Sequence, residues 1–419
     1  MAKYPGHVNL HSVEERRKNV ERSLLDQVVT CLTAQPLEPL LPSEPGPREI
    51  VFEGSFEEVN EFFYDKEWGD GLPIVPPTME KVGKFLKYTD RPADEVIGVL
   101  LPDRREATVW NTAVNGVMAG CRPEYMPVLI SVVEGMVDPK FGQEHLGHTP
   151  GTEVLITING PIIKELDFNY KQGALRVGFQ SNTSIGRFWR LYLRNVAGFL
   201  PHKTDKGTFG GTWRVVLAEN EDAVAKVGWE PMSVDQGFRA GDNVVTINSC
   251  TCTDSIFSIG ANTTEEILDK LAARIVDIQL SLFRVTYSGP GVRPQILLSP
   301  CVAEKIANGG YSKDRMRQYL YERTTFSAMR FERLRPDIGS LCDAVKQGRL
   351  PKRYCESTEP SRLVPMLLSP DDFMITVSGD PDRDNCFICA QNGFIGYPVS
   401  KKIKLPANWA ELLKEDKNK

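Results

Sequence analysis

The chain has 419 residues, 41% of them hydrophobic and 25% charged, the balance of a folded globular protein long enough for two or three domains. Fifty Lys and Arg against 55 Asp and Glu leave a net charge of −5, which excludes a uniformly basic nucleic-acid binder. No apolar run approaches the roughly 18 residues of a membrane-spanning helix, and the N-terminus lacks the charged-then-apolar order of a secretion signal. A cytoplasmic protein with no membrane or nucleic-acid partner is expected.

In chain order, the first predicted element is a helix from Ser12 to Leu32, because Val13, Val20, Leu24, Val28 and Leu32 recur at helical spacing between charged residues. Pro36, Pro39, Pro42, Pro45 and Pro47 come next, a stretch that can be neither helix nor central strand. Residues 1–50 therefore read as a helical arm and linker. The apolar stripe of the arm is buried either on its own body or on a neighbouring subunit, the latter making a homo-oligomer.

A main α/β body is expected over residues 51–287. Phe56, Val59, Phe62 and Phe63 mark a helix. Trp68 to Thr78, with two glycines and three prolines, is an ordered loop, and Thr78 caps a helix running to Leu86. Val96–Leu100 and Glu153–Asn159 read as strands, and Thr263-Thr-Glu-Glu266 opens a long helix burying Ile267, Leu271, Ile275 and Ile278. A hinge falls at Ser288-Gly-Pro-Gly291. Beyond it, residues 292–419 form a smaller C-terminal α/β lobe, with a strand at Gln295–Ser299, helices at 301–308 and 312–328, Ser312 as a cap, and a strand at Met374–Val377. Strands alternating with helices give a mixed α/β fold.

Nine cysteines stand at positions 31, 121, 250, 252, 301, 342, 355, 386 and 389, and an odd count argues against a disulfide scaffold. Most are expected to be thiols packed as small hydrophobes. Cys121, in Met118-Ala-Gly-Cys-Arg-Pro-Glu-Tyr-Met-Pro127, falls between a helix that Gly120 can end and one that Pro123 can open. The positive end of the second helix and the charge of Arg122 should lower its pKa, as covalent catalysis requires; the alternative is a cysteine buried between two helices.

Ser181-Asn-Thr-Ser-Ile-Gly-Arg187 places a capping residue and an arginine one turn in, so Asn182 and Arg187, with Arg122, are the expected anion-binding residues. Arg190 and Arg194 share that helix face and read as solvated residues bonded to nearby acids. Asp70 or Glu124 would assist proton transfer, and His145, His148 or His202 would supply an imidazole base if Cys121 needs one. His145 and His148 are three apart, but Gly147, Thr149 and Pro150 weaken a helix there, and a loop is expected. Cys250 with Cys252, and Cys386 with Cys389, are either core residues, a dithiol, or ligands of zinc or iron. No phosphate-binding loop or dinucleotide fingerprint occurs, and no cofactor is expected apart from that metal reading.

Asp70-Gly-Leu-Pro-Ile-Val-Pro-Pro-Thr78, the segment around Cys121, Asn182-Thr-Ser-Ile-Gly-Arg187 and Gln391-Asn-Gly-Phe-Ile-Gly-Tyr-Pro398 together resemble a group of large bacterial proteins associated with the UGSC-type (seleno)protein family. The U/C-G-S-C motif itself is absent, and Asn248-Ser-Cys-Thr-Cys252 is a distant echo of it. The resemblance implies thiol-linked chemistry and no defined substrate. The expectation is a thiol-dependent enzyme using Cys121, as nucleophile or redox thiol, on a small anionic substrate. A cysteine-ligated metalloprotein and a non-catalytic subunit docked through the arm are the alternatives.

Overall fold

The computed structural model describes residues 2–34, 45–211, 215–257, 260, 263–280, 292–334, 339–391 and 396–417. They belong to two compact units, Met1–Val51 and Phe52–Lys419. In the first unit Ser12 accepts from Glu15 N and Glu15 accepts from Ser12 N, a reciprocal cap that starts α1 (Val13–Asn19). A π-helical turn at Val20–Leu24 leads into α2 (Leu25–Thr33), and none of these helical residues is buried. Val13, Leu25, Val29 and Leu32 stand exposed on it.

The second unit opens with α3 (Phe56–Asp65), capped by Ser55 and Glu58, and α4 (Met79–Leu86), capped by Thr78. An antiparallel pair comes next, β1 (Val96–Leu100) with β2 (Arg105–Thr108). The chain continues into α5 (Val109–Met118) and α6 (Met126–Met136), the latter apolar all round and buried except for Glu134. After them stand β3 (Glu153–Asn159), α7 (Ile162–Glu165), α8 (Gln180–Tyr192), β4 (Val216–Ala218), α9 (Glu221–Lys226), α10 (Met232–Asp235) and the long β5 (Val244–Ile256). The remaining elements are α11 (Thr264–Gln279), β6 (Gln295–Leu298), α12 (Pro300–Asn308), α13 (Lys313–Arg323), β7 (Thr325–Ser327), α14 (Ala328–Leu334), α15 (Leu341–Lys346), β8 (Leu363–Pro365), β9 (Met374–Val377), β10 (Cys386–Gln391), β11 (Val399–Lys402) and α16 (Trp409–Lys417).

The main sheet is mixed, in the order β4-β3-β5-β10-β6-β9, and the fold is mixed α/β as expected. β3 and β4 are parallel, as are β6 and β9, and the other neighbours are antiparallel. β5 is long enough to hold β11 along its first half and β10 along its second. The sheet curls until its edges meet: Asn220 N donates to Val377 O at 2.7 Å and Ser378 Oγ donates to Ala218 O at 2.8 Å. Across the interior, the Gln295 amide on β6 donates to Thr157 on β3 and Thr376 on β9, both at 3.0 Å. Two strands separate β6 from β3, so only strong curling allows that contact.

The body and the lobe read from the sequence share this sheet, since β5 from one pairs with β10 and β11 from the other. The two apolar clusters also cross that division: one gathers α4, α5, α6 and α8 with Val399, Ile403 and Trp409 of the lobe, the other joins α11 of the body to α12 and α13. The hinge at Ser288–Gly291 lies outside the described residues. The helix expected over 312–328 stops at Arg323, because Thr325–Ser327 pairs with Leu363–Pro365 instead. One cysteine expectation is corrected outright. Cys342 and Cys355 form a disulfide, brought to a Cα separation of 4.9 Å where α15 packs on the turn Lys352–Cys355.

Candidate functional site

The expected Cys121 constellation is assembled in part. α5 ends through Gly120 (φ +78°), and Cys121 N donates back to Gly116 O at 3.0 Å, which turns the thiol inward. Ser184 and Arg187, both on α8, are the side chains acting on it. The Arg187 guanidinium is already engaged. It holds Asp70 through two bonds of 3.0 and 2.8 Å and donates to Leu72 O and Pro73 O at 3.2 and 3.0 Å. The Asp70 side chain is only 2% exposed, so this pair fixes the loop of residues 68–78 and neutralises the nearest cation to the thiol.

The expected lowering of the Cys121 pKa does not occur. Burial pushes the thiol up to about 12, overcoming the Ser184 hydrogen bond and the Arg187 charge. Just beyond Cys121 the chain makes a three-residue 3₁₀ turn, Pro123–Tyr125, before α6 begins, and no extended helix dipole is aimed at the sulfur. No histidine is among the groups acting on it: His145 lies near Glu144, the His148 ring contacts Thr152, and His202 is exposed.

The other expected residues have structural partners. Arg122 pairs with the buried Glu124 at 2.5 Å. Asn182 donates to Val216 O and Asn169 O at 2.7 and 3.0 Å and accepts from Asn169 N at 2.9 Å, clamping the loop at residue 169 to the start of β4. Arg190 is not a solvated residue: it pairs with the buried Glu153 and lies 3.6 Å from Asp205.

The four cysteines of the metal reading are not gathered at one place. Cys386 and Cys389 are three apart on β10 and therefore point to opposite faces. Cys386 lies in the cluster around α11–α13, whereas Cys389 joins Cys250 in a small inner cluster. Cys252 is exposed. Among the described residues no three His, Cys, Asp or Glu side chains come together as a ligand set.

A different place combines a cavity with a perturbed group. β3 and β4 run parallel, and at their carboxyl ends opens a cleft of about 420 Å³. Its lining includes Lys164, Glu165, Tyr170, Glu219, Glu221 and Asp222. The turn after β3 needs Gly160 (φ +98°), where a Cβ would sit 2.5 Å from Asn243 Oδ1 and from Asp242 O. Tyr170 is tethered through its carbonyl, which accepts from Gly379 N at 3.1 Å and Ser378 Oγ at 3.2 Å. The Asn182 clamp reaches this loop at Asn169, so one sequence-predicted residue serves the cleft indirectly.

Glu219, 1% exposed, joins four elements at the cleft floor. Its Oε2 accepts from Asn159 Nδ2 at 2.6 Å and Met232 N at 2.7 Å, and its Oε1 accepts from Val377 N at 3.2 Å. Asn159 Nδ2 also donates to Glu221 Oε1 at 3.0 Å, so a single amide bridges two carboxyl groups. Burial raises the Glu219 pKa, while the buried Lys313 charge and the three donors oppose it without prevailing. Four carboxyl groups face one lysine in the lining, and that lysine is paired with Asp222 at 2.7 Å.

The sequence reading passed over Glu219, Glu221 and Tyr170. The signal for them was Val215-Val-Leu-Ala-Glu-Asn-Glu-Asp222, a β-branched run ending in three acids, which places carboxyl groups at the carboxyl end of a strand. No helix of the described residues is long and apolar enough to cross a membrane. No family model, no curated protein and no solved structure matches this chain.

Proposed function

We propose that the protein binds a small cationic molecule in the cleft at the carboxyl ends of β3 and β4 and performs general acid–base chemistry on it through Glu219. The observation that carries this reading is a carboxyl group held towards its neutral form by burial while lining an open cleft. A carboxyl held towards its protonated form is the state from which a general acid starts. The carboxylate left behind finds three donors already in place, Asn159 Nδ2, Met232 N and Val377 N, so little reorganisation is needed. Glu165, Glu221 and Asp222 give the cleft an acidic field that attracts a cation, opposite in sign to the anionic substrate read from the sequence.

Calorimetric titration with 1,4-diaminobutane, 1,4-butanediol and succinate tests the reading. The diamine is expected to bind, more weakly to Glu221→Gln, while the diol and the dianion do not. Preference for succinate, or equal binding of all three, would overturn it.

A second reading keeps Cys121 as nucleophile or redox thiol for a small anionic substrate. Its support is the convergence of Cys121, Ser184 and Arg187 from distant parts of the chain. Succinate bound with protection of Cys121 from alkylation would favour it over the first. The exposed apolar residues of α1 and α2 support a homo-oligomer joined through the arm, tested by the sedimentation of the chain with and without residues 1–47. For the compartment, the Cys342–Cys355 bridge favours oxidising surroundings over the cytoplasm read from composition, because disulfides are rare in the cytosol.

A further inference from the structure

Away from the cleft, β5 and β10 bring two cysteines together inside the curled sheet. Cys250 lies opposite Gln391, Cys252 opposite Ala390 and Thr253 opposite Cys389, with a register shift between Ala390 and Gln391. Cys389 is two residues from Gln391 along β10 and so shares the face that Cys250 points to. Both belong to the inner cluster with Leu155, Leu217 and Leu297, Cys250 at 5% and Cys389 at 0% exposure. Cys250 is also the side chain that acts most directly on the Cys389 thiol.

We propose that Cys250 and Cys389 are a disulfide-forming pair that, when oxidised, locks β5 covalently to β10 in the wall of the curled sheet. Diagonal residues on one face of neighbouring strands have side chains within reach of each other, and the bond requires their sulfurs to close to ~2 Å. The oxidant is a low-molecular-weight disulfide of the glutathione type, acting as the chain folds and before the pair is sealed. Each thiolate in turn attacks a sulfur–sulfur bond, first forming a protein–glutathione mixed disulfide and then the Cys250–Cys389 bond. The pair loses two electrons and two protons, and one glutathione disulfide becomes two glutathione thiols. Burial raises the pKa of Cys389, and a thiol of high pKa is a poor leaving group, so the bond once made resists reduction. The third neighbouring thiol, Cys252, is exposed and by the register lies on the opposite face of β10, where it has no such partner.

The test refolds the full chain in glutathione buffers of increasing oxidised fraction, blocks free thiols with iodoacetamide in denaturant, and maps peptides by mass spectrometry. The expected result is a linked Cys250–Cys389 peptide alongside the Cys342–Cys355 one, with Cys121 and Cys386 alkylated. Oxidation should raise Tm by about 5 °C or more, since the bond closes a long loop. That rise should shrink in Cys250→Ser, where only Cys342–Cys355 can form, and a part of it should persist in Cys342→Ser, where only Cys250–Cys389 can form. Recovery of Cys250 and Cys389 both alkylated from a sample in which Cys342–Cys355 has formed would overturn the proposal. So would a Cys250–Cys252 link, or a Tm rise unchanged in a folded Cys250→Ser chain.

Discussion

Cys121 and Glu219 are both titratable groups sunk into the same unit, and burial raises the pKa of both from starting points far apart. A thiol starts at 9.0 and is driven to about 12, far from the pH at which it could ionise. A carboxyl starts at 4.5, and burial favours its protonated, uncharged form. Their neighbours reinforce the contrast. The cation beside Cys121 is neutralised by Asp70, while Glu219 has three donors waiting for its ionised form and a cleft in front of it. Desolvation therefore favours the protonated form of both groups, which is the uncharged thiol in one and the uncharged carboxyl in the other.

The comparison can be broken most severely at Glu219. Glu219→Ala strands three buried donors at the meeting of β3, β4, α10 and β9, and should destabilise the chain by about 3–6 kcal/mol in urea unfolding. A loss below about 1 kcal/mol would mean that the carboxyl does not hold the sheet edges together.

Asp70→Asn attacks the other side. It removes one partner of a pair with side chains 2% and 18% exposed, with an expected cost of about 2–4 kcal/mol. It also leaves Arg187 uncompensated, so the Cys121 pKa should move down from about 12, read as a shift in the pH dependence of its alkylation. An unchanged profile in a folded variant would show that Asp70 does not set the thiol's surroundings.

In the unaltered chain at pH 7, iodoacetamide should label Cys121 at least about a hundredfold more slowly than the exposed Cys31. Comparable rates would reverse the contrast and restore Cys121 as the reactive centre.

The smallest effect is a pH dependence. The folded-state pKa of Glu219 is raised above the ordinary 4.5, so the folded chain binds more protons than the unfolded one between the two values. The stabilisation that this protonation contributes is complete below about 4.5 and is lost as pH rises through the folded value. The stability of the unaltered chain relative to Glu219→Gln should thus fall with rising pH across that window, by at most about 1.4 kcal/mol per pH unit. A relative stability that instead rises with pH would show that the carboxyl is ionised throughout.

Some of this was legible in the sequence for local reasons. The caps at Thr78, Thr263 and Ser312 act within one turn of their own helices, and each accepts the backbone bond expected of it. Of the α11 face expected to be buried, Ile267, Leu271 and Ile275 are buried and Ile278 is half-buried. Asp70, Cys121 and Arg187 were each singled out, and the fold does bring them to one place. What they do there was not legible, because the pairing of Asp70 with Arg187 spans 117 positions and decides whether the arginine is free.

Periodicity and bonds between near neighbours were enough to set the mixed α/β class and the ends of α4 and α12, and both can be read along the chain. Long-range packing settled that β5 would join both stretches into one curled sheet, that Cys342 would meet Cys355, and that residues 160–170 and 219–222 would enclose a cleft. It also set the direction in which burial moves the Cys121 and Glu219 pKa values. Desolvation depends on everything packed around a group, and that packing is supplied by segments far away in the chain.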